Sequence, residues 1–97
     1  IRAGVAYATV DAAAHASMDV SGFGAGFTHV TGHHVGFRYH DYGPTLNSAT
    51  SAILAAGNCL TVEPGAYGAQ FNGGCRFEDN VAVTIDGFRF LSPYELI

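Results

Sequence analysis

His29, His33, His34 and His40 fall within one short stretch of a chain that holds 5 histidines in all. Composition gives no reason for the cluster, because only 12% of the 97 residues are charged. Two glutamates are also out of place. Glu63 ends the apolar run Leu60-Thr61-Val62 and precedes Pro64-Gly65. Burying a bare carboxylate there is costly, so Glu63 must be exposed, paired or bound to a metal. Glu78 lies in an alternating stretch with Arg76 beside it as a candidate partner. Imidazole nitrogen and carboxylate oxygen together suit a catalytic Mn, Co, Fe or Zn site with open positions. Structural zinc sites prefer cysteine, and Cys59 and Cys75 lack that spacing. They read as reduced, buried thiols. Each residue alone has a plainer reading: a strand histidine is usually a hydrogen-bonded boundary residue, and a Glu beside an Arg is usually an ion pair.

The elements that would position these groups can be read in order. Thr9 is a candidate N-cap, and Val10 to Met18 is dominated by alanine, a strong helix former. Asp11 suits the positive end of that helix. His15 has no evident partner and reads as a surface or boundary residue. Gly22, Gly24 and Gly26 end the helix. Phe27 to Tyr42 reads as extended chain with bends, and Gly43 to Ser51 as a loop. Leu60 to Glu63 is a short strand stopped by Pro64-Gly65, and Gln70 to Gly74 is a turn. Cys75 to Thr84 predicts one continuous strand, with Arg76, Glu78, Asn80, Ala82 and Thr84 on one face. Asp86-Gly87 predicts a hairpin turn into Phe88 to Leu91. The fold class is α+β, one N-terminal helix followed by a curved antiparallel sheet.

Composition narrows the partners. The net charge is -4, and the four basic residues, Arg2, Arg38, Arg76 and Arg89, are dispersed. Neither nucleic-acid binding nor a polybasic membrane anchor is expected. No apolar run is long enough for a membrane span and no signal peptide is evident, so a cytoplasmic location is the expectation. The hydrophobic fraction is 48% and the mean hydropathy +0.20. So little charge for so small a domain suggests that more chain or a partner covers part of the surface. The opening Ile1-Arg2-Ala3-Gly4 reads as mid-protein sequence, although processing or a partial chain would produce it equally.

The segment Phe27-Thr28-His29-Val30-Thr31-Gly32-His33-His34-Val35-Gly36-Phe37-Arg38-Tyr39-His40-Asp41 resembles the G-H-x-x-G-x-x-x-H-[DE] signature of the pita-bread metallopeptidases. These include Xaa-Pro aminopeptidase, prolidase, methionine aminopeptidase and creatinase. Leu60 to Tyr67 resembles the family's T-V-E-P-G-x-Y strand. Gly74 to Thr84 with Asp86-Gly87 resembles its G-V-R-x-E-D-x-V-x-V-T-x-D-G strand and hairpin. Val10 to Ala14 sits where the family has a V-D-x-A-x helix. The motifs occur in family order and cover nearly the whole chain.

The resemblance implies that His33, Glu63 and Glu78 are metal ligands, with Glu78 bridging two divalent ions, Mn or Co first and Zn or Fe next. It implies that Glu63 adjoins the attacking water as general acid/base and that His40 stabilises the tetrahedral intermediate. His29 would face the substrate near the scissile bond, and Arg76 would orient the carboxylates. The His40-Asp41 pair and the Glu-Pro-Gly-x-Tyr strand point to the Xaa-Pro peptidase and prolidase branch. His34 stands where many members have glycine. The family completes its two-metal site with two aspartates from an upstream hairpin, and neither Asp11 nor Asp19 has that context. Residues 1–97 are therefore expected to be the C-terminal half of the catalytic domain, with a small peptide as the parent enzyme's substrate. On its own, this half is expected to have little activity and to self-associate or dimerise. Two other readings stay open: a catalytically silent pita-bread binding module, and a mononuclear His/Glu metal protein of cupin type.

Overall fold

The computed structural model describes residues 1–95. Helix α1 spans Tyr7–Val20 and contains the expected stretch, but it begins before Thr9. Its N-cap is Ala6, which offers no capping side chain. The Tyr7 N–H is satisfied instead by the Ala52 carbonyl at 3.0 Å, a tertiary bond doing what a capping side chain does elsewhere. The helix stops at Gly22, whose φ of 82° is left-handed. Phe23 N–H reaches Met18 O at 2.8 Å and Gly22 N–H reaches Asp19 O at 3.0 Å, the paired bonds of a Schellman cap. Tyr7 and Asp11, one turn apart, are the helix's buried residues.

Five strands follow: β1 (Cys59–Val62), β2 (Gly65–Gly68), β3 (Gly73–Arg76), β4 (Asp79–Val83) and β5 (Phe88–Phe90). They form one antiparallel sheet in the order β1-β4-β5 and a two-stranded sheet of β2 and β3. The expected continuous strand from Cys75 to Thr84 is therefore broken at Phe77-Glu78. Its register survives the break. Val62 pairs with Asp79 on one side, and Gly65 pairs with Arg76 on the other. The two sheets are thus arms of one long hairpin, kinked where Glu63-Pro64 lies across from Phe77-Glu78. Pro64 has no N–H to give to the ladder, which accounts for a kink at that point.

The hairpin tip joining β2 and β3 holds a 3₁₀ turn, Ala69–Phe71, and a left-handed Asn72. Gly73 and Gly74, expected in the turn, already belong to β3. At the other tip Thr84 N–H bonds Gly87 O at 2.9 Å. Ile85 and Asp86, and not Asp86-Gly87, are therefore the central turn residues.

A further extended segment lines the free edge of β1. Val35 N–H bonds Cys59 O at 3.1 Å, Thr61 N–H bonds His33 O at 2.8 Å and Glu63 N–H bonds Thr31 O at 2.7 Å. Leu46, buried within the expected loop, clamps the far side through Thr31 N–H to Leu46 O and Leu46 N–H to Gly32 O. The core gathers Tyr7, Leu46, Leu54, Leu60, Val81 and Val83. Cys59 is half-buried and Cys75 is exposed, and both are unpaired, so burial was expected of more thiol surface than is buried.

Candidate metal centre

The register explains how three residues far apart in sequence meet. Thr61 pairs with the His33 backbone, so Glu63, two residues on, lies diagonally beside His33 on the same edge. Continuing the β1-β4 register through the kink sets Glu78 directly opposite Glu63. A ligand atom from each of His33, Glu63 and Glu78 lies within 4.8 Å of the others. Glu63 is 9% exposed, and Glu78 is the most open of the three.

The hydrogen bonds fix what His33 presents. Its Nδ1–H donates to the His34 carbonyl at 2.8 Å, and its backbone N–H donates to Thr61 Oγ1 at 3.0 Å. Nε2 is left with its lone pair 3.3 Å from Glu63 Oε2. Two electron-pair donors aimed at each other repel unless a proton or a cation lies between them. Like charges directly opposite across an antiparallel ladder also destabilise it. Among the described residues no Arg forms an ion pair with either carboxylate. A further acceptor, Asn80 Oδ1, two residues along from Glu78, is buried without a partner. One nitrogen and two carboxylates converging without an arginine partner fit a hard or borderline divalent metal.

The other residues singled out from the sequence fall differently. The His40 ring lies 4.3 Å from that of His33, so it reaches the cluster although its own loop is exposed. His29 is held from both sides: Nδ1–H donates to Val30 O at 2.8 Å, and Nε2 accepts from the Tyr67 hydroxyl at 3.0 Å. The expected pairing of Arg76 with Glu78 is not present among the described residues. Arg76 ends β3 exposed, whereas Glu78 lies in the break between β3 and β4. His15 does have a partner, Asp11 one turn earlier at 3.6 Å, and stacks on Phe27.

His34 faces away from the metal cluster. Asn58 Oδ1 already accepts from Ala55 N–H, so the Tyr7 hydroxyl donates to it at 3.3 Å and accepts from His34 Nε2–H at 2.8 Å. Burial pushes the His34 imidazole below its ordinary range. Asp41 partly opposes this and His33 adds to it. The supporting groups Thr61, Tyr67 and Asp11 were not singled out from the sequence as parts of a site. Thr61 and Tyr67 lie inside the Glu63 strand motif, the signal that could have found them.

The Metallopeptidase family M24 profile matches residues 1–85. The chain is 40% identical to the agropine synthesis cyclase of Rhizobium rhizogenes, covering 99% of this chain and 24% of that protein. It superposes on the prolidase from Pyrococcus furiosus with a TM-score of 0.90 at 31% identity, covering 99% of this chain and 28% of that one. The Xaa-Pro dipeptidase from Bacillus anthracis gives 0.88 at 37% identity, covering 100% and 27%. The chain thus spans about a quarter of the length of these relatives. Its helix and antiparallel sheets are part of a pita-bread fold, and the chain belongs to metallopeptidase family M24.

Proposed function

We propose that residues 1–97 are the C-terminal half of the catalytic domain of a peptidase that cleaves the N-terminal bond of small peptides, an Xaa-Pro bond foremost. The convergence of His33, Glu63 and Glu78 within 4.8 Å carries this reading. These residues would hold two divalent ions, Mn or Co, with Glu78 shared between them and the remaining ligands supplied from outside this region. When bound, the ions would polarise the scissile carbonyl and acidify the attacking water.

The chain's own side chains supply the rest. Glu63, beside His33 and shielded from solvent, would take the proton of the attacking water and pass it to the leaving amine. His40, whose ring lies beside that of His33, would donate to the oxygen that becomes negative as the carbonyl turns tetrahedral. His29, held by the Tyr67 hydroxyl at its Nε2, would line the substrate side. His33 would not move during turnover, because its Nδ1–H and backbone N–H are both anchored.

The test is metal content and hydrolysis by the complete protein. Bound divalent metal together with release of proline from Xaa-Pro dipeptides is the expected result. A metal-loaded protein that cleaves neither Xaa-Pro peptides nor related small amides would overturn it. The likeness to a protein named for a cyclase favours a second reading, closure of a ring within a small substrate. Cyclised product without hydrolysis would select that reading.

A further inference from the structure

Asp11 is a buried carboxylate that the proposed reaction does not use. It is 3% exposed, on the inner face of α1. Burying a charge there is costly unless it is hydrogen-bonded. The Thr31 hydroxyl donates to its Oδ1 at 2.6 Å, within the range of a charge-assisted bond, and His15 Nε2 lies 3.6 Å from the same oxygen at the more exposed side.

Thr31 is a node. It is fully buried, and each of its polar groups is engaged. Its hydroxyl goes to Asp11, its N–H to Leu46 O at 2.9 Å, and its carbonyl accepts from Glu63 N–H at 2.7 Å. Two residues later His33 is fixed to Thr61 through its backbone N–H and carbonyl. Setting the Thr31 backbone therefore sets the spacing between His33 and Glu63. That spacing is 3.3 Å between Nε2 and Oε2. Docking of the helix does not itself require Asp11, because Tyr7 already anchors α1 through Ala52 O and the core.

We propose that Asp11 is a positioning residue for the metal centre, acting through Thr31 to hold Glu63 and His33 at ligating separation. The inference rests on the metal-centre reading above. It concerns geometry, so it is the oxygen acceptor of Asp11 that matters.

The experiment measures the Mn²⁺ dissociation constant of the complete protein by titration, beside the melting temperature of the metal-free form. Asp11→Ala and Thr31→Val should weaken Mn²⁺ binding by about 10- to 100-fold, the range for supports of metal ligands. Asp11→Asn and Thr31→Ser keep a hydroxyl-to-oxygen bond and should bind Mn²⁺ within about threefold of wild type, well short of that range. If Asp11→Ala does not fold, Thr31→Val keeps the side-chain shape and carries the test. A lowered melting temperature with unchanged Mn²⁺ affinity in Asp11→Ala or Thr31→Val would overturn the proposal and leave Asp11 a helix-docking residue. Loss of affinity in Asp11→Asn equal to that in Asp11→Ala would also overturn it, because charge would then matter and not position. Failure of the wild-type protein to bind Mn²⁺, Co²⁺ or Zn²⁺ would instead sink the metal-centre reading itself.

Discussion

Glu63 and Glu78 face one another across the kink of a single long hairpin, with carboxylate oxygens within 4.8 Å. The fold holds two negative charges together and pairs neither with an arginine among the described residues. Such an arrangement is unfavourable by itself and favourable around a cation.

The two effects have opposite signs, so one substitution separates them. Glu78→Gln keeps the shape and removes one of the facing charges. In metal-free protein it should leave stability unchanged or raise it by up to about 1 kcal/mol. Metal affinity should fall at least about tenfold, or ~1.4 kcal/mol. Chelator-treated and Mn²⁺-loaded melting curves of wild type and variant would show the crossing. A variant destabilised in the metal-free form would mean that Glu78 has a protein partner, and the cation argument would fail.

Gly32 makes a second case, because it lets the His33 segment approach β1. A Cβ at Gly32 would lie 1.9 Å from the Thr61 carbonyl oxygen, which is backbone and cannot swing aside. Gly32→Ala should therefore cost about 1–3 kcal/mol as overpacking and lower metal affinity, since the displaced segment carries His33. Gly22 is a useful contrast. A Cβ there would meet nothing within 4 Å, but its φ of +82° is left-handed. Gly22→Ala should cost about 1–2 kcal/mol in stability and leave metal affinity alone. Equal metal affinity in the two variants would contradict the account of Gly32.

These residues also show what sequence could and could not reveal. His33, Glu63 and Glu78 were legible because each sits in a spaced motif whose chemistry is unusual for its surroundings. The kink was not legible. Side-chain alternation from Cys75 to Thr84 runs on without interruption, because the register is kept across the break between the two sheets. Pro64, on the opposite arm, was the local sign of it. The helix start was missed for a related reason: Tyr7 N–H is capped by Ala52 O, a backbone partner distant in sequence that no local pattern predicts. Asp11 was read as a helix-dipole residue because its hydrogen-bond partner, Thr31, is fixed only by packing. The extended reading of Phe27 to Tyr42 held where it matters, since Thr31 to Val35 bonds along β1.

Phe37, Tyr39 and Tyr42 stand almost fully exposed on the loop between Gly36 and Gly43. Large aromatic rings left exposed to water favour association. The isolated chain should self-associate, and the triple substitution Phe37→Ser, Tyr39→Ser, Tyr42→Ser should shift it toward monomer. Sedimentation velocity across a concentration series reads this directly. A wild-type chain that stays monomeric at every concentration would refute it.

Tyr7 gives the pH dependence. It is 2% exposed, and burial raises its hydroxyl above the ordinary value of 10.0. The folded protein therefore holds this proton more tightly than the unfolded chain does. The associated stability is complete below pH 10.0 and is lost as pH climbs from there through the raised folded value. Tyr7→Phe removes the titrating group and its bonds to His34 and Asn58. It should cost about 1 kcal/mol at neutral pH, the net worth of a buried hydrogen bond. The variant should also lose less stability than wild type between neutral and strongly alkaline pH. Urea unfolding at a series of pH values measures both. Identical alkaline limbs in the two proteins would show that the Tyr7 proton is not linked to folding, and that its hydroxyl is solvated in a way that this burial does not allow.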